Sequence, residues 1–422
     1  MIADIMKDPE SQDVKIMRYG SKTIYLVCLI SMCVIWQGCR PQAESNVKDC
    51  LSNAPLSPHQ AKLLQTAFEI ATAIPVHPHI KDRSLAQEQV VTTCIALKQP
   101  QRALSYTQQI ENWRQGLCYG QLAYTCAQQG ARQEAQNYII QASEIADNTE
   151  DWRQDRIRAW IARTLLFLGQ TDQAQTMSQD LLDSEAGQVT QAQAEMSSME
   201  DFNTQIEALD TLVATGEYEK TCNALRAYVK LLDRFYTDQK KRDQIQAKIP
   251  VSWEKIPIFV RIELLIDQME VAQDHNDLDT ARQCLQQAYT FMEDYRWRPE
   301  ERLPLMAKLI KWRFRLGQEQ EAKNDAEAAL ALFTEQQQRI VNIDKAETLT
   351  PLAEAYVVMG EPTKALQVYQ QAMKGALENP NSRPRAEDIA AICCSMARQG
   401  IEPDEALWKR LGEIQAGLSD PW

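Results

Sequence analysis

Apolar and polar residues follow one another along most of the chain with the period of a helix, and a turn residue trailed five places later by a small one punctuates the pattern. In the clearest copy Leu352, Ala353 and Tyr356 lead to Gly360, and Ala365, Tyr369 and Ala372 follow. The same offsets recur at Leu122, Ala123, Cys126, Gly130, Ala135, Ile139 and Ala142. Members three and four apart share one helix face. The spacing therefore predicts a helical hairpin, in which a first helix stops at the glycine, a left-handed residue reverses the chain, and a second helix packs back on the first. Small residues such as Ala123 and Ala135 let the two helices approach closely. Further copies centre on Gly169, Gly216 and Gly317, and weaker ones on Lys98, Asn276 and Gly400.

The small residues that open the second helices are Ala103, Ala135, Ala174, Thr221, Ala281, Ala322, Ala365 and Ala406, spaced 32, 39, 47, 60, 41, 43 and 41 residues apart. Eight hairpins over residues 84–418 predict an all-α chain, an alpha-alpha superhelix in which each pair hides its apolar side against the next. The core motif resembles the tetratricopeptide repeat, whose period is 34 residues, and Gly216-Glu217-Tyr218-Glu219-Lys220 is similar to that family's turn into its second helix. The array divides into halves at 84–236 and 258–418, on either side of an irregular break or hinge at 237–257. There Lys240-Lys241-Arg242, two prolines and Trp253 interrupt the pattern. Before the repeats, a capping region over 57–83 opens with an amphipathic helix from Ser57 and Pro58. A closing helix runs from Ala406 to Leu418, with Pro421-Trp422 frayed beyond it. Trp113 and Trp152 lie ten residues before Ala123 and Ala162, and read as buried caps of a first helix against the preceding hairpin.

The N-terminus bears on the compartment. Thr23 to Trp36 is an apolar run preceded by Arg18 and Lys22. It is shorter than the ~20 residues a transmembrane helix needs, yet long enough for the core of a secretory signal. It ends in Ile35-Trp36-Gln37-Gly38-Cys39, which resembles the cleavage box of bacterial lipoproteins. The resemblance implies removal of residues 1–38, lipidation of Cys39 and a flexible tether over 39–56. Acyl chains would then hold the body at a membrane of the cell envelope, facing the periplasm; Arg40 after the cysteine points to the outer membrane. Asp4, Asp8, Glu10 and Asp13 precede the run, and a start at Met17 gives a short basic leader instead. An uncleaved signal anchor is the alternative, and it too places the body outside the cytoplasmic membrane.

Lys and Arg number 45 against 58 Asp and Glu, a net charge of −13. Without a basic stripe to neutralise phosphates, a nucleic-acid partner is not expected. Chemistry is equally sparse. His59, His77 and His79 precede the repeats and His275 sits in a turn, and the His77-Pro78-His79 pair lacks ligand spacing for a metal. The phosphate-binding, nucleophile-elbow and zinc-protease motifs are missing, so neither cofactor nor metal nor enzymatic activity is expected. Of eleven cysteines, Cys28 and Cys33 leave with the signal, Cys39 is lipidated and eight remain. Cys94 and Cys126 hold the motif place of Tyr356, as small buried side chains would. A bridge from Cys94 to Cys126 or Cys118 stays open in an exported protein.

The resemblance also implies where a partner sits, because first helices line the concave side of such arrays. Six residues before each turn lie Tyr124, Arg163, Asp210, Glu270, Lys311 and Glu354, a mixed polar row suited to a protein or peptide partner. The expectation is a membrane-tethered scaffold or adaptor, in envelope assembly. The alternatives are a ligand-responsive regulatory solenoid hinged at 237–257, and an enzyme with an unrecognised site.

Overall fold

The structure is a computed structural model that describes residues 52–422; residues 1–38, Cys39, Cys50 and most of the expected tether lie outside the described residues. The described residues all belong to one unit, Ala43–Trp422. They form nineteen α-helices and no strand. The first group is α1 (Pro58–Ala73), α2 (Val76–Ala96), α3 (Pro100–Thr107), α4 (Arg114–Gln128), α5 (Arg132–Asp147), α6 (Trp152–Phe167) and α7 (Thr171–Ser178). The middle holds α8 (Asp183–Glu195), α9 (Phe202–Ala214), α10 (Tyr218–Arg234), α11 (Gln239–Lys248), a 3-10 turn (Ile249–Lys255), α12 (Ile258–Asp274) and α13 (Leu278–Glu293). The last group is α14 (Pro299–Arg315), α15 (Glu319–Gln336), α16 (Asn342–Val358), α17 (Pro362–Leu377), α18 (Ser382–Gln399) and α19 (Glu405–Ala416).

Local chemistry sets the boundaries. Ser57 and Gln60 form a reciprocal capping box ahead of Pro58. The side chains of Asp238, Asp277 and Asp404 accept from free amides at the starts of α11, α13 and α19. All eight expected reversal residues are left-handed, from Lys98 at φ 55° to Gly317 at φ 84°. Behind them Ala103, Ala135, Ala174, Thr221, Ala281, Ala322 and Ala365 are all buried. Within α4, a Cβ on Gly120 would lie 2.7 Å from the Cβ of Trp160, so α4 and α6 touch where a glycine removes the side chain.

Successive even-numbered helices pack on one another from α2 to α18, and each odd-numbered helix from α1 to α17 packs against an even helix beside it. The even helices therefore form the inner layer. One hairpin departs from the expected phase. At every other reversal residue the chain passes from an even helix to an odd one, but Gly216 joins α9 to α10, and it is α10 that packs between α8 and α12. The 47- and 60-residue spacings around Thr221 are the trace of this change. The expected break at 237–257 is filled by α11 and the 3-10 turn, with Ile245, Ile249 and Ile256 buried.

The two ends of the array meet. Helix α18 packs on α1 and α2, and Leu63, Leu64, Val90 and Val91 share one buried cluster with Ile389, Cys393 and Met396. Gln60 Nε2 donates to the Ala397 carbonyl oxygen at 2.8 Å, and Arg398 Nη1 to Thr93 Oγ1 at 3.1 Å. Helix α1, expected as an end cap, thus takes the place against α18 that a second helix would occupy. This explains Ala406, which is exposed rather than buried: α19 is not the second helix of that unit. It lies outside α1, with Lys62 over the Trp408 ring at 3.9 Å and Gln415 Nε2 donating to Glu69 at 3.1 Å.

Three smaller expectations need correcting, and one alternative left open is closed. Trp152 is 37% exposed, although its ring does meet Trp113 edge-on at 5.3 Å. Pro421 is held, its carbonyl accepting from the Ser382 amide at 2.8 Å. Part of the expected tether is docked, with the Ala54 amide donating to the Lys98 carbonyl at 2.8 Å. Cys94, Cys118, Cys126, Cys222, Cys284, Cys393 and Cys394 are buried and none is in a disulfide, so neither bridge from Cys94 is formed.

Candidate functional site: the wall of even-numbered helices

Five of the six expected row residues lie on even helices: Tyr124 on α4, Arg163 on α6, Glu270 on α12, Lys311 on α14 and Glu354 on α16. Asp210 does not join them. It lies on α9, and its carboxylate accepts from Tyr228 at 2.6 Å and from Lys248 of α11 at 2.5 Å. Burial raises the Asp210 carboxyl, but these hydrogen bonds outweigh it and hold it below the usual range. The cause of the misplacement is the phase change at Gly216, which puts α9 in the outer layer.

The wall divides into sectors of different chemistry. Around α14, α16 and α18 it is self-paired. Lys308 meets Glu263 at 3.2 Å, Lys311 meets Glu354 at 3.2 Å, and Arg398 reaches Glu354 at 3.5 Å. Ser395 Oγ donates to Glu354 at 2.7 Å and lies 2.9 Å from the hydroxyl of buried Tyr369. Burial pushes the Glu354 carboxyl up, yet Lys311, Arg398 and Ser395 together hold it below its ordinary value. Such a carboxylate is a strut between three helices, with little capacity left for a partner.

On α12 the wall is acidic. Asp267, Glu270 and Asp274 recur at helical spacing, and all three carboxyls are raised. Burial and then neighbouring Asp267 push Glu270 up to about 7, against the pull of Lys230 and Arg315. Desolvation disfavours the charged form, and like charges on one face compound it.

Between α4 and α6 the wall is aromatic and cationic. The Arg163 guanidinium lies 4.9 Å from the Tyr124 ring and 4.3 Å from the Trp160 ring. Tyr124 meets Trp160 edge-on at 5.8 Å and Phe167 at 5.9 Å. Phe167 is 37% exposed. Arg163 Nε is buried with no hydrogen-bond partner. Tyr124 is raised by burial and by the charge of Glu195, which Arg163 partly offsets.

Sequence reasoning missed Trp160, Phe167, Lys230 and Arg398. Trp160 and Phe167 sit three places before and four after Arg163, and Arg398 two before the turn at Gly400, and only knowledge of which helices abut assigns them to the wall. Elsewhere, His77, His79, Asp420 and Trp422 border a cleft of about 550 Å³, and His79 lies 3.6 Å from Asp82. Among the described residues no group of three or more His, Cys, Asp or Glu is arranged to hold a metal ion, and no helix is long and apolar enough to cross a membrane.

The fold and wall define an all-α array of helical hairpins, an α-α superhelix. No family model and no curated protein matches the chain. Among solved structures it is similar to the crystal structure of Ton1535 from Thermococcus onnurineus NA1, at 15% identity over 79% of this chain and 94% of that one, with a TM-score of 0.21.

Proposed function

We propose that this protein is a non-catalytic interaction scaffold that holds a peptide or protein segment against the wall of even-numbered helices. One observation carries the reading: the aromatic and cationic sector at Tyr124, Trp160, Arg163 and Phe167 is built by two adjacent helices yet keeps an exposed ring and a guanidinium that lies against rings rather than a carboxylate. Side chains consumed by neighbours serve stability, whereas polar and aromatic groups left open on a rigid wall serve recognition. The repeat motif's likeness to tetratricopeptide repeats agrees with a peptide-holding role. Export and tethering through lipidated Cys39, in an envelope assembly, complete the proposal.

A photoreactive residue placed at position 167 in cells should crosslink to a protein partner. The same residue at position 140, where Ile140 is 50% exposed on outer helix α5, should not. No adduct at 167, or equal adducts at both, would overturn the wall as the docking surface. For the anchor, Cys39→Ser should move the protein from the membrane fraction to the soluble one.

A further inference from the structure

Resting on that scaffold reading, we infer that Arg163 and Phe167 anchor a segment carrying an aspartate or glutamate two residues from an apolar side chain, an acid-x-apolar motif. The acid follows from charge. Lys308, Lys311 and Arg398 on the same wall each have a carboxylate partner, while Arg163 forms no ion pair with a carboxylate of the described residues and is held by the Tyr124 and Trp160 rings and the Tyr124 hydroxyl. A guanidinium fork matches a carboxylate in two parallel hydrogen bonds. Tyr124 and Trp160 fix its plane in advance, which lowers the ordering cost of binding.

The spacing follows from geometry. Four helical residues advance about 6 Å from Arg163 to Phe167 on one face. Alternate residues of an extended peptide also share a face, about 6.6 Å apart. A carboxylate on Arg163 therefore brings the side chain two residues away onto Phe167. The acidic sector of α12, with Asp267 and Glu270, repels the same segment and so directs its acid to α6. Glu195, whose charge reaches Tyr124, leans against an acid at Arg163, but it is exposed and screened by solvent.

The test is selection of displayed random dodecapeptides, fused so that they present no free C-terminus, on the purified full-length protein. Enriched sequences should carry the acid-x-apolar pattern. Synthetic versions with blocked ends should bind about tenfold more weakly to Arg163→Gln, about fivefold more weakly to Phe167→Ala, and no more weakly to Glu270→Gln. Phe167→Ala removes a part-exposed side chain and keeps the test valid if Arg163→Gln melts early. Enriched peptides that lack the pattern, or that bind both variants as tightly as the parent, would refute this motif while leaving the scaffold standing. No enrichment over uncoated surface would remove both.

Discussion

Gln60 and Ala397, separated by most of the repeat array in sequence, are joined by a 2.8 Å hydrogen bond from the Gln60 side chain to the Ala397 backbone. The bond lies in a seam where His59 also reaches the Gly400 carbonyl at 3.2 Å and Arg383 meets Asp82 at 3.3 Å. In an open array each unit contacts only its neighbours, so damage at one end stays there. Here the last inner helix stabilises the first hairpin.

Leu64 is fully buried in the cluster that spans the seam. Leu64→Ala should cost about 3 kcal/mol and, in hydrogen exchange, should deprotect amides of Ser382–Gln399 as well as those of α1. Exchange confined to α1 and α2 would mean that the ends do not support one another.

Two glycines should answer differently to substitution. Gly130 is left-handed with open space around it, so Gly130→Ala should cost about 1 kcal/mol from backbone conformation, and Gly130→Asn should recover much of that. Gly120 is helical and pressed on Trp160. Gly120→Ala should lose about 2 kcal/mol to overpacking, against the helix-propensity gain an alanine normally brings. Urea midpoints of the three variants test the ordering.

The wall should make stability depend on pH in two opposite ways. Glu270 is raised from 4.5 to about 7, so between those values the folded state binds the extra proton and stability falls as pH rises. Glu270→Gln should therefore gain on the parent from pH 5 to pH 8 and by no more beyond. Glu354 is lowered from 4.5, so its contribution is present above that pH and is lost as pH falls through the folded value. Glu354→Gln should be less stable than the parent at pH 7, with the gap closing in acid. Melting temperatures across that range decide both signs.

Trp113 and Trp152 touch edge-on at 5.3 Å. Because Trp152 is 37% exposed, its replacement by alanine should cost about 1–2 kcal/mol, less than a buried tryptophan. A double-mutant cycle with Trp113→Ala should return a coupling of about 1 kcal/mol. A coupling near zero would show that each ring packs only on its own surroundings.

The seven described cysteines should resist a thiol reagent in the native protein and react after denaturation. All are buried, and burial raises the thiols of Cys94, Cys118, Cys222, Cys284, Cys393 and Cys394, that of Cys284 to about 11, which suppresses the reactive thiolate. Rapid native labelling at Cys94 or Cys394 would mean that the seam opens.

The sequence by itself determined the hairpins. Left-handed reversal at Gly130 or Asn276, and the buried alanine five residues on, are demands that neighbouring residues place on one another, so they are written in local spacing. It also marked Arg163, Glu270, Lys311, Tyr124 and Glu354 as residues of first helices. Tertiary structure decided which helix counts as inner and which helix completes the last unit. Asp210 has the right offset from Gly216, yet α9 lies outside α10. Ala406 has nearly the right offset from Gly400, yet α1 fills the place beside α18. Both outcomes depend on contacts between segments distant along the chain, which a local period does not encode. For the same reason Glu354 could be read as a polar wall residue, but its capture by Lys311, Arg398 and Ser395, and the absence of such capture at Arg163, emerged only once three helices had been brought side by side.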